Sequence, residues 1–267
     1  VYDIGIEDSG QAYFTMKLVT ADYLGVILKN LRKRNKEYIE KYPLNRLLEI
    51  FCDVCDAVAF AHSKGVLHLD LKPDNIQVGD FGEVLVCDWG LSRFKPELVD
   101  DLEDSVDYKN GQLTIHGQIF GSPGFMSPEQ ASVGREELDH YSDIYSLGCL
   151  LYAMLTLKPA FNGESVDEIL DNTAKGIFTA PDQLNKRREM PEALVAVCLH
   201  AMEYEPEKRY GSALDLKREI RSFLNGYATF AERAGAFTQF ILFYRRQKAL
   251  VLVSCLALLF GGVFSLI

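Results

Sequence analysis

The chain has no surplus of positive charge. Its 28 Lys and Arg stand against 38 Asp and Glu, a formal net charge of −10, and this argues against nucleic acid as a partner, because phosphate backbones are bound by clustered cations. Cysteine is sparse: Cys52, Cys55, Cys87, Cys149, Cys198 and Cys255 are scattered among apolar neighbours, and only the first two lie close together. That pair falls inside the helical apolar pattern Leu47, Phe51, Val54, Val58. It therefore reads as two buried thiols on a core helix, not a metal or redox site, and a reducing compartment fits. Internal repeats and low-complexity tracts are lacking, which leaves no sign of a repeat architecture or of extensive disorder. The chain also has no initial Met and no signal-type leader, and a strand-like segment begins at Val1, so it is expected to be a fragment.

What is present is a globular balance, 48% hydrophobic and 25% charged residues, with one membrane-like end. Residues 249–267 carry no charge; as a helix they would span about 28 Å, close to a bilayer core of about 30 Å. Arg245, Arg246 and Lys248 stand just before them, and the positive-inside bias puts those charges, and the domain they follow, in the cytoplasm. The competing reading, a buried core helix, is disfavoured because such helices normally keep a polar face.

The order of elements is legible in outline. Residues 1–6 and 12–19, split by Glu7-Asp8-Ser9-Gly10, predict a β-hairpin. A linker and a polar amphipathic helix to about Lys41 follow, and Pro43 opens a longer helix to about Ser63, ended by Gly65. Beyond Gly90 comes a long aperiodic stretch, too long for an ordinary connection. Helical spacing returns over 141–155, 165–174, 191–202 and 212–224.

The chemistry lies between the longer helix and the aperiodic stretch. Residues 68–75 read His-Leu-Asp-Leu-Lys-Pro-Asp-Asn, and thirteen positions after Asn75 comes Asp88-Trp89-Gly90. Ile76-Gln77-Val78 reads as a strand, Gly79-Asp80-Phe81-Gly82 as a turn, and Glu83-Val84-Leu85-Val86-Cys87 as the returning strand. At roughly 3.3 Å per residue the turn lies on the order of 10 Å from Asn75, whereas Asp88 comes back beside it. Two carboxylates, a lysine and an asparagine then share one cleft. Phosphoryl transfer from a metal-bound nucleotide needs that set for a base, a charge clamp and two metal ligands.

These motifs resemble those of eukaryotic-type protein kinases. His68-Leu69-Asp70 matches the catalytic triplet, Lys72 and Asn75 its downstream partners, Asp88-Trp89-Gly90 the metal-binding tripeptide and Ser127-Pro128-Glu129 the end of the activation segment. Gly121-Ser122-Pro123-Gly124-Phe125-Met126 fits the substrate-facing loop, Asp143 with Ser146 and Gly148 the helix that anchors the catalytic loop, and Arg209 the partner of Glu129. Asp80-Phe81-Gly82 spells the metal-binding tripeptide letter for letter, yet it occupies the hairpin tip. Together with the apolar end, the chain looks like the bacterial receptor-like serine/threonine kinases.

The resemblance implies an α+β, protein-kinase-like fold: the end of a small β-rich N-terminal lobe (1–19) and a mainly helical C-terminal lobe (20–227), followed by a juxtamembrane segment (228–248) and a C-terminal transmembrane helix (249–267). It implies ATP and Mg²⁺ as cofactors, protein Ser and Thr as substrates, attachment to a membrane and compatibility with a homodimer. Asp70 would orient or accept the proton of the attacking hydroxyl, Lys72 would offset phosphoryl charge, and Asn75 and Asp88 would hold the metal. Ser122 stands where a threonine is usual and would hydrogen-bond Asp70 and Lys72. Met16 looks like the residue at the rear of the adenine pocket, Lys17 and Val19 would offer backbone groups to the base, Asp22 would reach the ribose, and Gln77 would floor the adenine with its methylenes.

The chain departs from the family pattern in several places. Leu69 replaces the arginine that binds a phosphorylated activation loop, so control through that contact is not expected. The acidic run Glu97, Asp100, Asp101, Glu103, Asp104, Asp107 then reads as a solvated loop insertion. Trp89 replaces phenylalanine and keeps an aromatic plug. The glycine-rich loop, strand lysine and helix glutamate of the family would precede Val1, so the chain by itself is not expected to bind ATP productively. Two rival readings are a pseudokinase or scaffold, and a membrane-anchored interaction module; the presence of Asp70, Lys72, Asn75 and Asp88 favours the enzyme.

Overall fold

A computed structural model describes residues 3–6, 12–15, 21–94, 121–132, 138–184, 190–233, 235, 238–239 and 241–242. Strands β1 (Asp3–Ile6) and β2 (Ala12–Thr15) form the predicted antiparallel hairpin, with Asp3 opposite Thr15 and Ile6 opposite Ala12.

Two features of the next stretch were not foreseen. Ala21–Tyr23 forms a short strand, β3, because it finds a partner far along the chain; three residues are too few for alternation to show. The predicted polar helix is two helices, α1 (Leu24–Arg32) and α2 (Lys36–Lys41). They break where Arg34 takes a left-handed φ of 58° and Asn35 caps α2 by accepting from the Glu37 amide at 3.1 Å. Leu24, Ile27, Leu28 and Leu31 bury one stripe of α1.

Helix α3 (Leu44–Ser63) starts after Pro43 and stops at Gly65, whose left-handed φ of 71° is adopted most readily by a residue without a Cβ. Its buried stripe, from Leu47 through Phe51 and Val54 to Val58 and Ala61, contributes roughly 1.5–3 kcal/mol for each large apolar side chain removed from water. At the centre of the molecule lies α5 (His140–Thr156), in which every residue from Ser142 to Thr156 is buried. A helix buried all round has neighbours on all sides: here these include α3, α7 (Pro181–Leu184), α8 (Glu192–Ala201) and α9 (Ala213–Leu224). The approach of α5 to α8 depends on Gly148, where a Cβ would fall 2.6 Å from Met202 Cγ and 3.0 Å from Ala201 Cβ. The short α4 (Pro128–Ala131) and α6 (Val166–Ala174) complete the helical layer.

Against this body lie two small sheets. β5 (Ile76–Gly79) and β6 (Val84–Val86) form the predicted returning hairpin, and β3 adds to the free edge of β5, giving the order β3-β5-β6. β4 (Val66–Leu67) pairs with β7 (Arg93–Phe94). Among the described residues no helix is long and apolar enough to cross a membrane; the apolar segment 249–267 and the basic residues before it lie outside those described.

Candidate active site

The site starts from Asp143, fully buried in the first turn of α5. Its Oδ2 accepts the His68 amide at 2.8 Å and faces His62 Nε2 at 2.8 Å, and its Oδ1 accepts the Leu69 amide at 2.8 Å. Hydrogen bonds to an ionised group contribute roughly 1.5–3 kcal/mol each, enough to hold Leu69 at a φ of 63°, a conformation costing a non-glycine residue about 1–2 kcal/mol. The His68 ring is oriented in turn: Nδ1 accepts the Asp70 amide at 3.2 Å, so Nε2 carries the proton and donates to the Cys87 carbonyl at 3.2 Å. Burial lowers the His68 pKa against the opposing pull of Asp143, the Cys87 carbonyl, Asp70 and Asp88, consistent with that neutral ring. Trp89 packs on it with ring centroids 4.4 Å apart and donates its indole N–H to the Val86 carbonyl at 3.0 Å.

Asp70 follows on this scaffold, with 7% of its surface exposed. Its Oδ2 accepts from Lys72 Nζ at 2.8 Å and from Asn75 Nδ2 at 3.1 Å. Lys72 also donates to Ser122 Oγ at 2.6 Å, so the lysine bridges the catalytic-type loop and the segment that begins at Gly121. Asn75 gives its second amide hydrogen to the Asp70 carbonyl at 2.8 Å. Both hydrogens are thereby committed, which fixes the amide orientation and leaves Asn75 Oδ1 as the atom that can take a cation. Asp70 Oδ1 is buried and has no hydrogen-bond partner among the described residues.

The β5–β6 hairpin brings the second carboxylate in. Ile76 stands opposite Val86, and the Cys87 amide donates to the Asn75 carbonyl at 2.8 Å, so Asp88 leaves the returning strand next to Asn75. It does so in a left-handed conformation, φ 61°, and its Oδ1 lies against Gly90, where an added Cβ would come within 3.2 Å. Asp80 is at the hairpin's far end, where the Gly79 amide donates to the Glu83 carbonyl and Gly82 has a φ of 95°. Its side chain is 66% exposed and pairs with Lys41 at 2.9 Å.

Below the site, Glu129 and Arg209 form a buried fork, Nη1 to Oε1 at 2.7 Å and Nη2 to Oε2 at 2.9 Å. The other three Arg209 donors reach the carbonyls of Glu203, Tyr141 and Tyr204, and its guanidinium lies 4.7 Å from the Tyr145 ring centroid. Burial alone would raise the Glu129 pKa; hydrogen bonds from Arg209, its charge and the Ser142 hydroxyl outweigh this and hold the carboxyl below its usual range.

The adenine and ribose expectations fare differently. Met16, Lys17 and Val19 lie outside the described residues, as does the acidic run. Gln77 is on β5, opposite Tyr23 on one side and Leu85 on the other. These three share the sheet face turned away from the helical core, since Ile76 and Val78, their neighbours on β5, are buried. Asp22 is opposite Val78, on the other face, and its Oδ2 accepts from the Tyr38 hydroxyl at 3.0 Å. The structure therefore does not bring Asp22 and Gln77 to one surface; Tyr23 is the β3 residue beside Gln77.

Two further residues went unnoticed in the sequence: His62, which faces Asp143, and Gln130, whose Nε2 donates to the Leu69 carbonyl at 2.8 Å. A signal existed for the second, because Ser127-Pro128-Glu129-Gln130 has the Ser-x-x-Gln spacing of a capping box, and that box is formed.

Residues 2–220 match the protein kinase domain family. Among curated proteins the chain is 36% identical over 228 residues to the serine/threonine-protein kinase PknD of Protochlamydia amoebophila, covering 82% of this chain and 23% of that protein. It is 34% identical over 238 residues to PknD of Chlamydia trachomatis serovar L2b, covering 85% and 25%, and 34% identical over 232 residues to PknD of Chlamydia pneumoniae, covering 85% and 24%. The chain thus spans about a quarter of the length of these curated relatives. The family match takes in every element from β1 to most of α9, including the loop held by Asp143 and the Glu129–Arg209 pair, and on that extent the chain belongs to the protein kinase family, among its eukaryotic-type serine/threonine members.

Proposed function

We propose that the protein transfers the γ-phosphoryl group of ATP to serine and threonine hydroxyls of other proteins, from a site anchored at the cytoplasmic face of a membrane by residues 249–267. The observation that carries the chemical part is the asymmetry of Asp70: Oδ2 is held by Lys72 and Asn75, while Oδ1 is buried and has no partner among the described residues. A buried carboxylate oxygen left unsatisfied is costly, and an incoming hydroxyl would satisfy it. Asp70 then orients that hydroxyl for attack and takes its proton as the new P–O bond forms and the bond to the β,γ-bridging oxygen breaks, ADP leaving. Lys72, already between Asp70 and Ser122, presents positive charge to the equatorial phosphoryl oxygens, where negative charge accumulates.

The donor set also fits Mg²⁺, with Asn75 Oδ1 and the Asp88 carboxylate as hard oxygen ligands. When bound, the ion would neutralise charge on the nucleotide's phosphates. The chain's own contribution is to hold both ligands on one short path, through the Cys87–Asn75 backbone bond. Serine and threonine specificity is supported by the resemblance of Asp70-Leu71-Lys72-Pro73 to kinases of that type and by the relatives' names.

The test is Asp70→Asn in the full-length protein. Turnover is expected to fall by roughly two to four orders of magnitude with little change in nucleotide affinity, because a base acts mainly in the transition state. Wild-type turnover in the variant would remove Asp70 from this role, and a wild-type protein that binds ATP without transferring phosphate would make it a pseudokinase.

A further inference from the structure

We infer that Gln130 is a positioning residue for Asp70, acting through the Leu69 carbonyl. The peptide unit between Leu69 and Asp70 is pinned at both ends: its carbonyl oxygen accepts from Gln130 Nε2 at 2.8 Å, and its N–H, which belongs to Asp70, donates to His68 Nδ1 at 3.2 Å. The Leu69 amide is held separately by Asp143 Oδ1. Rotation of that peptide plane would swing the Asp70 side chain, and releasing the carbonyl frees the rotation.

Gln130 is suited to the task because its own amide cannot turn over. Its Oε1 accepts from the Ser127 amide at 3.1 Å and hydroxyl at 3.2 Å, so a flip would sacrifice those bonds and present an oxygen to the Leu69 oxygen. It is 7% exposed, which shields the contact from water. The preceding residue, Glu129, is fixed by Arg209 on both carboxylate oxygens. A continuous path therefore runs from Arg209 through Glu129 and Gln130 to the Leu69–Asp70 peptide. Gly121 lies close to the same carbonyl, an added Cβ there falling 3.2 Å from Leu69 O. The end of the activation segment thus reaches the base through neutral hydrogen bonds at a position where Leu69 offers no cation for a phosphate.

The inference rests on the phosphoryl-transfer reading, and Gln130→Glu separates the two. Glutamate keeps an acceptor for Ser127, but as a carboxylate it cannot donate to the Leu69 carbonyl; burial and the facing oxygen raise its pKa, so acidification restores a donor. Wild type, Q130E and Q130M, all full length, are compared for phosphate transfer from ATP to casein at pH 8 and pH 6, with thermal melts to count folded protein. At pH 8 the saturating rate of Q130E is expected to fall about tenfold or more, with KM for ATP within about twofold of wild type, the pattern of a misplaced reacting group. Relative to wild type it should recover about threefold or more at pH 6, while Q130M stays low at both. A Q130E rate equal to wild type at pH 8, or reduced by the same factor at both pH values, overturns the inference. If Q130E does not stay folded at pH 8, Q130M decides alone, and wild-type turnover in it has the same meaning. An inactive wild type overturns the phosphoryl-transfer reading instead.

Discussion

Removing Arg209 tests the architecture beneath the site, and Arg209→Met does so while keeping most of the side-chain volume. In the wild type the guanidinium is fully buried and its partner Glu129 is 5% exposed, so solvent cannot replace the lost bonds. Breaking a buried pair from one side costs roughly 3–5 kcal/mol, mostly because the remaining charge is stranded. For a folded unit of this size 1 kcal/mol corresponds to about 2–4 °C in Tm, which gives an expected fall of roughly 6–20 °C near neutral pH. The pH dependence carries the sharper sign. Arg209 holds the Glu129 pKa below its ordinary value of 4.5, so its contribution to wild-type stability is complete above that value and is lost only as pH drops through the lowered one. Without the guanidinium, burial raises the pKa above the unfolded value; the penalty is then greatest at neutral pH and is relieved as pH falls through the raised pKa. Between pH 7.5 and 5.5 the variant should gain stability by up to about 1.4 kcal/mol per pH unit, with no such gain in the wild type. Thermal melts at pH 7.5 read the first effect and urea denaturation across the pH range the second, both followed by circular dichroism. A variant within about 2 °C of wild type at pH 7.5, or one whose stability tracks the wild type on acidification, would refute the claim that this pair is dry and closed.

Two other substitutions separate the look-alike aspartates. Asp88→Ala should abolish Mg²⁺-dependent ATP binding by the full-length protein, whereas Asp80→Ala, which removes only an exposed pair with Lys41, should leave it nearly intact and change stability by less than about 1 kcal/mol; nucleotide titration with and without Mg²⁺ would show the reverse if Asp80 were the ligand. Deleting residues 249–267 should move the protein from the alkaline-resistant membrane fraction to the soluble one, and protease added to intact cells should spare the kinase domain. Recovery of the undeleted protein in the soluble fraction would mean that this apolar segment packs in a core.

Local chemistry was legible where a residue's partner lies nearby in the chain. The β5–β6 hairpin could be derived because Gly79-Asp80-Phe81-Gly82 is a turn by composition and the strands on both sides show their own pattern, and the same derivation kept Asp80 out of the site. Helix α3 was announced by Pro43, an apolar stripe and Gly65. What escaped depends on partners that local pattern does not encode. β3 is a strand because Tyr23 meets Gln77, and that pairing turns Asp22 to the face opposite Gln77, which no count along residues 16–22 reveals. His62 and Gln130 meet Asp143 and Leu69 across separations of 81 and 61 residues. For Gln130 the capping-box spacing predicted the bond to Ser127 but not the use of the amide's other end.

The two left-handed non-glycine residues in the catalytic-type loops link these levels. Leu69 at φ 63° precedes Asp70, and Asp88 at φ 61° is the second carboxylate. At order 1–3 kcal/mol each, such conformations persist only where surrounding bonds over-determine them. Around Leu69 those bonds come from Asp143 on the amide and Gln130 on the carbonyl; around Asp88 they come from the Cys87–Asn75 bond just before it and from Trp89 just after it, packed on His68 and bonded to Val86. His68 joins the two, receiving the Asp70 amide on one ring nitrogen and giving the other to the Cys87 carbonyl. The carboxylates are thus placed by a shared histidine and by helices α4 and α5, not by the short hairpin alone. A change in α4 or α5 that leaves every titratable group of the site in place should still impair phosphoryl transfer, because it lets Leu69 relax toward negative φ and carries Asp70 with it.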